Sequence, residues 1–130
     1  FDKARSKKPV VVAFCDADNL GAINKLKGDI YGDQLIRDIA NILKSSVRNE
    51  DLVIRKGGDE FVIIIEDYTN FSDVENKLSQ RLISNQGPEA KFSFGIVEYD
   101  FSIDKSLTDT IQRGNVQMKE NNPGKKILKH

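Results

Sequence analysis

Asp16, Asp18, Asp59 and Glu60 are the side chains whose type and grouping point to chemistry. Asp16-Ala17-Asp18 ends the apolar run Val10-Val11-Val12-Ala13-Phe14-Cys15, and Asp59-Glu60 directly follows Gly57-Gly58. Clustered carboxylates without histidine or thiolate are the ligand set of a hard cation, Mg²⁺ above all. Histidine and thiol chemistry have little to work with. The only histidine is the last residue, His130, and the only cysteine is Cys15, inside the apolar run. A zinc cage and a disulfide framework are therefore excluded within one chain. Mg²⁺ takes one or two protein carboxylates and fills its octahedron with water and phosphate oxygens. Asp16 plus Asp59 meets that need, with room for a second ion. Two such ions can activate a hydroxyl and steady a leaving pyrophosphate in an in-line displacement. The bland alternative is a pair of solvated acidic turns, and for either cluster alone it is the commoner outcome. Their joint arrangement is what favours a site.

The elements around these residues decide whether the two clusters can meet. Val10 to Cys15 is too short for a helix and reads as a buried strand. Residues 19 to 27 are helical in pattern until Gly28-Asp29. From Asp33, the spacing of Leu35, Ile36, Ile39, Ala40, Leu43 and Val47 predicts an amphipathic helix. Leu52 to Arg55 and Phe61 to Ile65, separated by Gly57-Gly58, predict a hairpin whose glycines supply positive φ. Ser72 with Glu75 reads as a capping box for a helix carrying Phe71, Val74, Leu78 and Leu82, stopped by Gly87-Pro88. Residues 91 to 99 read as a strand, and Ser106 with Asp109 caps a helix running to about Glu120. Lys126-Ile127-Leu128 reads as a closing strand. The order β-α-α-β-β-α-β-α-β predicts an α+β, ferredoxin-like sheet of split βαβ type with helices packed on it. Such a sheet places the first strand beside the hairpin, and so Asp16 beside Asp59.

Composition narrows the setting. The 130 residues suffice for one domain with its own core. Lys+Arg and Asp+Glu are both 20, so net charge signals neither a nucleic-acid nor a membrane partner. No apolar stretch approaches the ~20 residues that span a bilayer, and a lone reduced cysteine fits a cytoplasmic setting. The chain opens at Phe1 rather than Met, as expected of a piece cut from something longer.

Gly57-Gly58-Asp59-Glu60-Phe61 is also the name-giving motif of the GGDEF domain family, the diguanylate cyclases, and the resemblance extends beyond it. The family's first strand ends in Asp-x-Asp followed by a short helix carrying an Asn, as in Asp16-Ala17-Asp18-Asn19-Leu20-Gly21-Ala22-Ile23-Asn24. Its Gly-Asp pair is matched by Gly32-Asp33. Its Arg-x-x-Asp product-inhibition site is matched by Arg48-Asn49-Glu50-Asp51. The match covers essentially all of residues 8 to 128.

The resemblance implies a palm-like, nucleotide-cyclase-like fold that binds one GTP per domain. Two domains then meet as a homodimer and condense two GTP to cyclic di-GMP, each 3′-hydroxyl attacking the partner's α-phosphate. Carried over, Asp16 and Asp59 bind Mg²⁺ (Mn²⁺ as a substitute) with the Ala17 carbonyl, and Glu60 serves as metal ligand or base. Gly57 and Gly58 admit the phosphates, Asn24 and Asp33 read the guanine edge, and Lys119 and Lys125 meet triphosphate oxygens. Arg48 and Asp51 bind product. The sequence departs from the family at Gly21, where a lysine is usual, and at Lys125, one residue late in the terminal Lys…Gly-Arg motif. These departures keep a second function open, a GTP or cyclic di-GMP receptor with little turnover. A purely structural dimerisation domain is the third.

Overall fold

The computed structural model describes residues 9–121. The elements are β1 (Val11–Ala17), α1 (Leu20–Lys27), α2 (Asp29–Ser45), β2 (Leu52–Gly57), β3 (Glu60–Ile65), α3 (Phe71–Ser84), β4 (Phe92–Glu98) and α4 (Leu107–Asn121). The strands form one sheet in the order β2-β3-β1-β4, with antiparallel neighbours throughout. This is the ferredoxin-like split βαβ arrangement expected from the element order.

β1 is buried along its whole length because both faces of the sheet are covered. Val11, Ala13, Cys15 and Ala17 pack with Leu35, Ile36, Ile39 and Leu43 of α2 and Leu78 and Leu82 of α3. The alternate residues Val10, Val12 and Phe14 pack with Val62, Ile64 and Val97, under Met118 of α4. Period-two alternation thus sends β1 into two cores, and an unbroken apolar run is the sequence that does this. Burial pushes the Cys15 thiol well above its usual range, and neighbouring Asp16 adds to the effect, so the group is an inert core residue.

Several local expectations are corrected. α2 starts at Asp29, a turn before the apolar stripe shows it, because Ile30 in that first turn is 88% exposed and carries no periodic signal. α3 is capped by Asn70, whose Oδ1 accepts from the Asp73 N–H at 3.1 Å, so Ser72 and Glu75 lie inside the helix rather than forming its box. That helix ends at Ser84, before Gly87-Pro88. Asp109 reaches back to the Lys105 N–H at 2.8 Å, one residue ahead of Ser106. The expected closing strand at 126–128 lies outside the described residues.

The loop from β4 to α4 is tied by Asp104, a buried carboxylate. It accepts from the Asp100 N–H and the Thr110 hydroxyl, both at 3.0 Å, and from Arg113 Nε at 2.8 Å. The Arg113 hydrogen bonds lead in holding its pKa down to about 2, with the Asp100 and Thr110 bonds adding to them against burial. A depressed folded-state pKa gives stability that is present above the unfolded value of ~3.9 and is lost as pH falls toward 2. Asp104→Asn is expected to cost roughly 2 kcal/mol at pH 7. In urea titrations the gap between wild type and variant should close between pH 4 and pH 2. A gap that stays constant would remove Asp104 from the acid response.

Among the described residues, no helix is long and apolar enough to cross a membrane.

Candidate active site

The sheet brings the two acidic clusters together at one end. Asp16 on β1 is the register partner of Glu60 on β3 and of Ser93 on β4. Directly opposed residues share a face of the sheet, so Asp16, Glu60 and Ser93 stand in a row beyond the α4-side core. One step further, the Ala17 N–H donates to the Asp59 carbonyl at 2.9 Å, which ties the hairpin tip to the end of β1. A regular hydrogen-bonded pair exchanges two such bonds. Here the reciprocal bond from the Asp59 N–H to the Ala17 carbonyl is not made.

The hairpin differs from the expected form. Gly57 pairs with Glu60, so the tip is Gly58-Asp59, and a register shift between Arg55 and Gly57 bulges Lys56 out of the ladder. Of the two glycines only Gly58 has positive φ (45°), where a side chain is disfavoured by the backbone itself. Gly57 has no such reason. Its φ is ordinary, and a Cβ placed there would meet nothing within 4 Å. The chain's own packing does not explain a glycine at 57, so any exclusion of a side chain must come from something that approaches the hairpin.

Two residues missed in the sequence support this corner. Arg55 donates from Nε (3.0 Å) and Nη2 (2.6 Å) to the Gly58 carbonyl, clamping the tip from the strand below. Nothing in a single sequence separates such an arginine from a solvated one. Ser93 donates to Asp18 Oδ1 at 2.9 Å, and its signal was available: a polar residue in the apolar strand Phe92–Val97. Lys56 lies 3.7 Å from Glu60, an exposed pair of little energetic weight.

Among the described residues no cage of three or more His, Cys, Asp or Glu is preformed. A hard divalent cation does not require one, since water and phosphate oxygens complete its shell. Asp16, Asp59, Glu60 and the Ala17 carbonyl are all oxygen donors, and the unreturned bond at Ala17 gives that carbonyl capacity for a cation. The donor set fits Mg²⁺.

Asn24 on α1 and Asp33 on α2 flank the junction of these two helices through Gly32. The Asn24 side chain lies against Gly32, where an added Cβ would fall 1.6 Å from Asn24 Oδ1. That oxygen is buried with no hydrogen-bond partner. A buried acceptor left unsatisfied is costly, and an incoming donor relieves it. Asp33, the next residue after Gly32, is exposed. Lys119 is exposed in the last turn of α4, whose final residue Asn121 lines a cleft with Asp18, Ser93 and Phe94. α4 thus ends near the carboxylates. Lys125 lies outside the described residues.

Arg48 and Asp51 form a closed unit distant from the hairpin tip. Arg48 Nε and Nη2 bond the two Asp51 oxygens at 3.1 and 2.8 Å, and the guanidinium also donates to the Glu66 and Asp67 carbonyls. The hydrogen bond to Asp51 leads in holding the guanidinium above its ordinary pKa, with the charges of Asp51, Glu50 and Asp67 adding to it against burial. Beside the pair is a cleft of about 340 Å³ walled by Tyr68, Asn70, Lys77 and Arg81.

A split βαβ sheet with carboxylates gathered around a glycine hairpin at one end defines a domain of the GGDEF class. The family described as diguanylate cyclase, GGDEF domain, matches residues 1–126, and the chain belongs to it. It is similar to diguanylate cyclase DgcS of Shewanella oneidensis, with 31% identity over 93 residues, 71% of this chain and 30% of that protein. It is also similar to cyclic di-GMP phosphodiesterase PdeR of Escherichia coli, with 33% identity over 89 residues, 68% of this chain and 13% of that one. Among solved structures, diguanylate cyclase SiaD of Pseudomonas aeruginosa, in complex with its activator SiaC, superposes with a TM-score of 0.77 and 25% identity. That match covers 94% of this chain and 49% of SiaD. The chain spans less than a third of either curated relative.

Proposed function

We propose that this domain is a diguanylate cyclase, condensing two GTP to cyclic di-GMP across a homodimer. The observation that carries the reading is the end of the sheet, where Asp16 and Glu60 are register partners and the Asp59 backbone is bonded to Ala17. When bound there, Mg²⁺ supplies Lewis acidity at the α-phosphate and lowers the pKa of the attacking hydroxyl. Asp16, Asp59 and the Ala17 carbonyl hold the ion, with Mn²⁺ an acceptable substitute, and Glu60 is its further ligand or the base for the 3′-hydroxyl. The Gly57-Gly58 backbone passes close to the phosphates, and Lys119 and Lys125 neutralise triphosphate oxygens. A cytoplasmic setting, where GTP is abundant, suits this chemistry.

Guanine is read by Asn24 and Asp33. The buried, unsatisfied Asn24 Oδ1 supports that assignment, as does a carboxylate at 33, which accepts from guanine N1 and N2 donors that adenine does not present as a pair. Asp33→Ala is expected to cut the preference for GTP over ATP by about 10–100-fold, measured by calorimetry with Mg²⁺ and each nucleotide. An unchanged preference would place base recognition elsewhere.

Arg48 and Asp51 are assigned to product binding, in the cleft walled by Lys77 and Arg81. Guanidinium geometry suits both guanine and phosphate. Arg48→Ala should raise the Kd for cyclic di-GMP at least tenfold. It should also lower stability modestly, because the side chain of Asp51 is only 3% exposed and loses its guanidinium partner, keeping only the backbone N–H of residue 48. Unchanged binding would leave the pair with a purely structural role in its loop.

A second reading is a receptor module with little turnover. Gly21 favours it, since that position lacks the lysine usual in the family. One charge-assisted phosphate contact is worth about 1.5–3 kcal/mol, enough to slow a cyclase without abolishing it.

A further inference from the structure

Ser93 has no part in the reading above, yet it is a hydroxyl 5% exposed, in register with Asp16. Its Oγ donates to Asp18 Oδ1 at 2.9 Å, and the Asp18 N–H donates to the Lys91 carbonyl at 2.9 Å. Asp18 and Lys91 lie just beyond the β1–β4 ladder, whose last pair is Ala17 and Phe92, while Ser93 is the ladder partner of Asp16. The next residue, Asn19, is left-handed (φ 57°) and turns the chain into α1. Asp18 therefore holds the end of β1 to β4, through Ser93 in the strand and Lys91 just before it.

These bonds set the direction of the Ala17 carbonyl. A trans peptide is planar, with its C=O pointing opposite to the following N–H. The Asp18 N–H points toward β4, so the Ala17 carbonyl points away from β4, toward the hairpin tip. The Ala17 N–H, bonded to Asp59, already faces the same way. Asp16, Ala17 and the tip are thus braced from opposite sides, by the hairpin on one and by Ser93 and Lys91 on the other.

We infer that Ser93 is a positioning residue for the metal centre, acting through Asp18 to hold the Ala17 carbonyl and Asp16 toward the hairpin. The second aspartate of Asp16-Ala17-Asp18 is then a brace and not a ligand of the ion. The inference rests on the metal-dependent reading of the site. Groups that orient metal ligands without touching the ion typically change affinity by about 10–100-fold when removed.

The test measures Mn²⁺ affinity by the electron paramagnetic resonance signal of the free ion, with a non-hydrolysable GTP analogue present. Ser93→Ala and Asp18→Ala should each weaken Mn²⁺ binding about tenfold or more, and the double variant should lose no more than the worse single one. Asp18→Asn keeps an acceptor for the serine hydroxyl and should stay within a few-fold of wild type. Binding of the analogue in EDTA should be the same in all four. A purely structural role would lower the unfolding temperature of Ser93→Ala while leaving Mn²⁺ affinity within twofold of wild type, and that result overturns the inference. Asp18→Asn as damaging as Asp18→Ala also overturns it, by making Asp18 a ligand. Should Ser93→Ala not fold, the two Asp18 variants, at a half-buried position, carry the comparison. Wild type that binds no Mn²⁺ would overturn the functional reading first, and the inference with it.

Discussion

Asp16→Asn is expected to lower cyclic di-GMP formation by about 10²–10³-fold or more while leaving the domain folded. The substitution keeps volume and shape at a position that is 5% exposed, so packing against its neighbours on β3 and β4 is retained. What it removes is charge. A divalent ion bound in this corner would depend on few protein carboxylates, because water and phosphate would supply the rest of its shell. Replacing an anionic ligand with a neutral amide weakens both the hold on the ion and the stabilisation of charge developing at the α-phosphate. The measurement is product formed per minute at saturating Mg²⁺, with a thermal melt in parallel. Full activity would mean that the ion is held elsewhere. Loss of activity together with loss of the cooperative melt would make Asp16 a folding residue and leave the chemistry unassigned.

Gly95→Ala is expected to destabilise the domain by about 3 kcal/mol, the upper part of the range for overpacking. An added Cβ would lie 2.4 Å from the Gly114 carbonyl oxygen and 2.4 Å from the Met118 nitrogen, both backbone atoms of α4. Backbone cannot rotate aside as a flexible side chain can, so the whole helix has to move. α4 covers the core of Val12, Phe14 and Val97, and its last turn, with Lys119 and Asn121, runs to the carboxylate end of the sheet. The same variant should therefore lose activity beyond its loss of folded protein. The facing glycine provides the contrast. A Cβ at Gly114 comes only to 3.2 Å from Phe14 Cβ, and alanine gains about 1 kcal/mol of helix propensity over glycine. Gly114→Ala should be close to neutral in urea denaturation. Equal effects at the two glycines would contradict the close backbone approach described here.

What the sequence revealed, and what it hid, follows from how each signal arises. The sheet order was legible because β1 carries an unbroken apolar run and the hairpin is punctuated by glycine, both local consequences of burial and turn geometry. The meeting of Asp16 with the hairpin followed from topology alone. The start of α2 was hidden because its first turn exposes Ile30, so periodicity begins only where the helix reaches the core. The cap of α3 was misplaced because Asn70 and Ser72 are both good capping residues, and only tertiary packing chooses between them. Arg55 and Ser93 were missed for a different reason. Each acts through a backbone or side-chain partner whose nearness depends on the hairpin bulge or on the β1–β4 register. The Asn24 contact with Gly32 is intermediate, since Asn24 was singled out for the guanine and Gly32 only as part of the Gly-Asp motif, and their contact was not foreseeable from spacing.

The most direct test of the central claim is to incubate the domain at high concentration with GTP and Mg²⁺ and resolve the nucleotides by chromatography. A cyclic di-GMP peak that disappears in Glu60→Gln is the predicted result, and it would place the chemistry at the end of the sheet where β1 meets the hairpin. GTP that stays intact at every concentration, in samples that sedimentation shows to be dimeric, would contradict the cyclase reading and leave the receptor in its place.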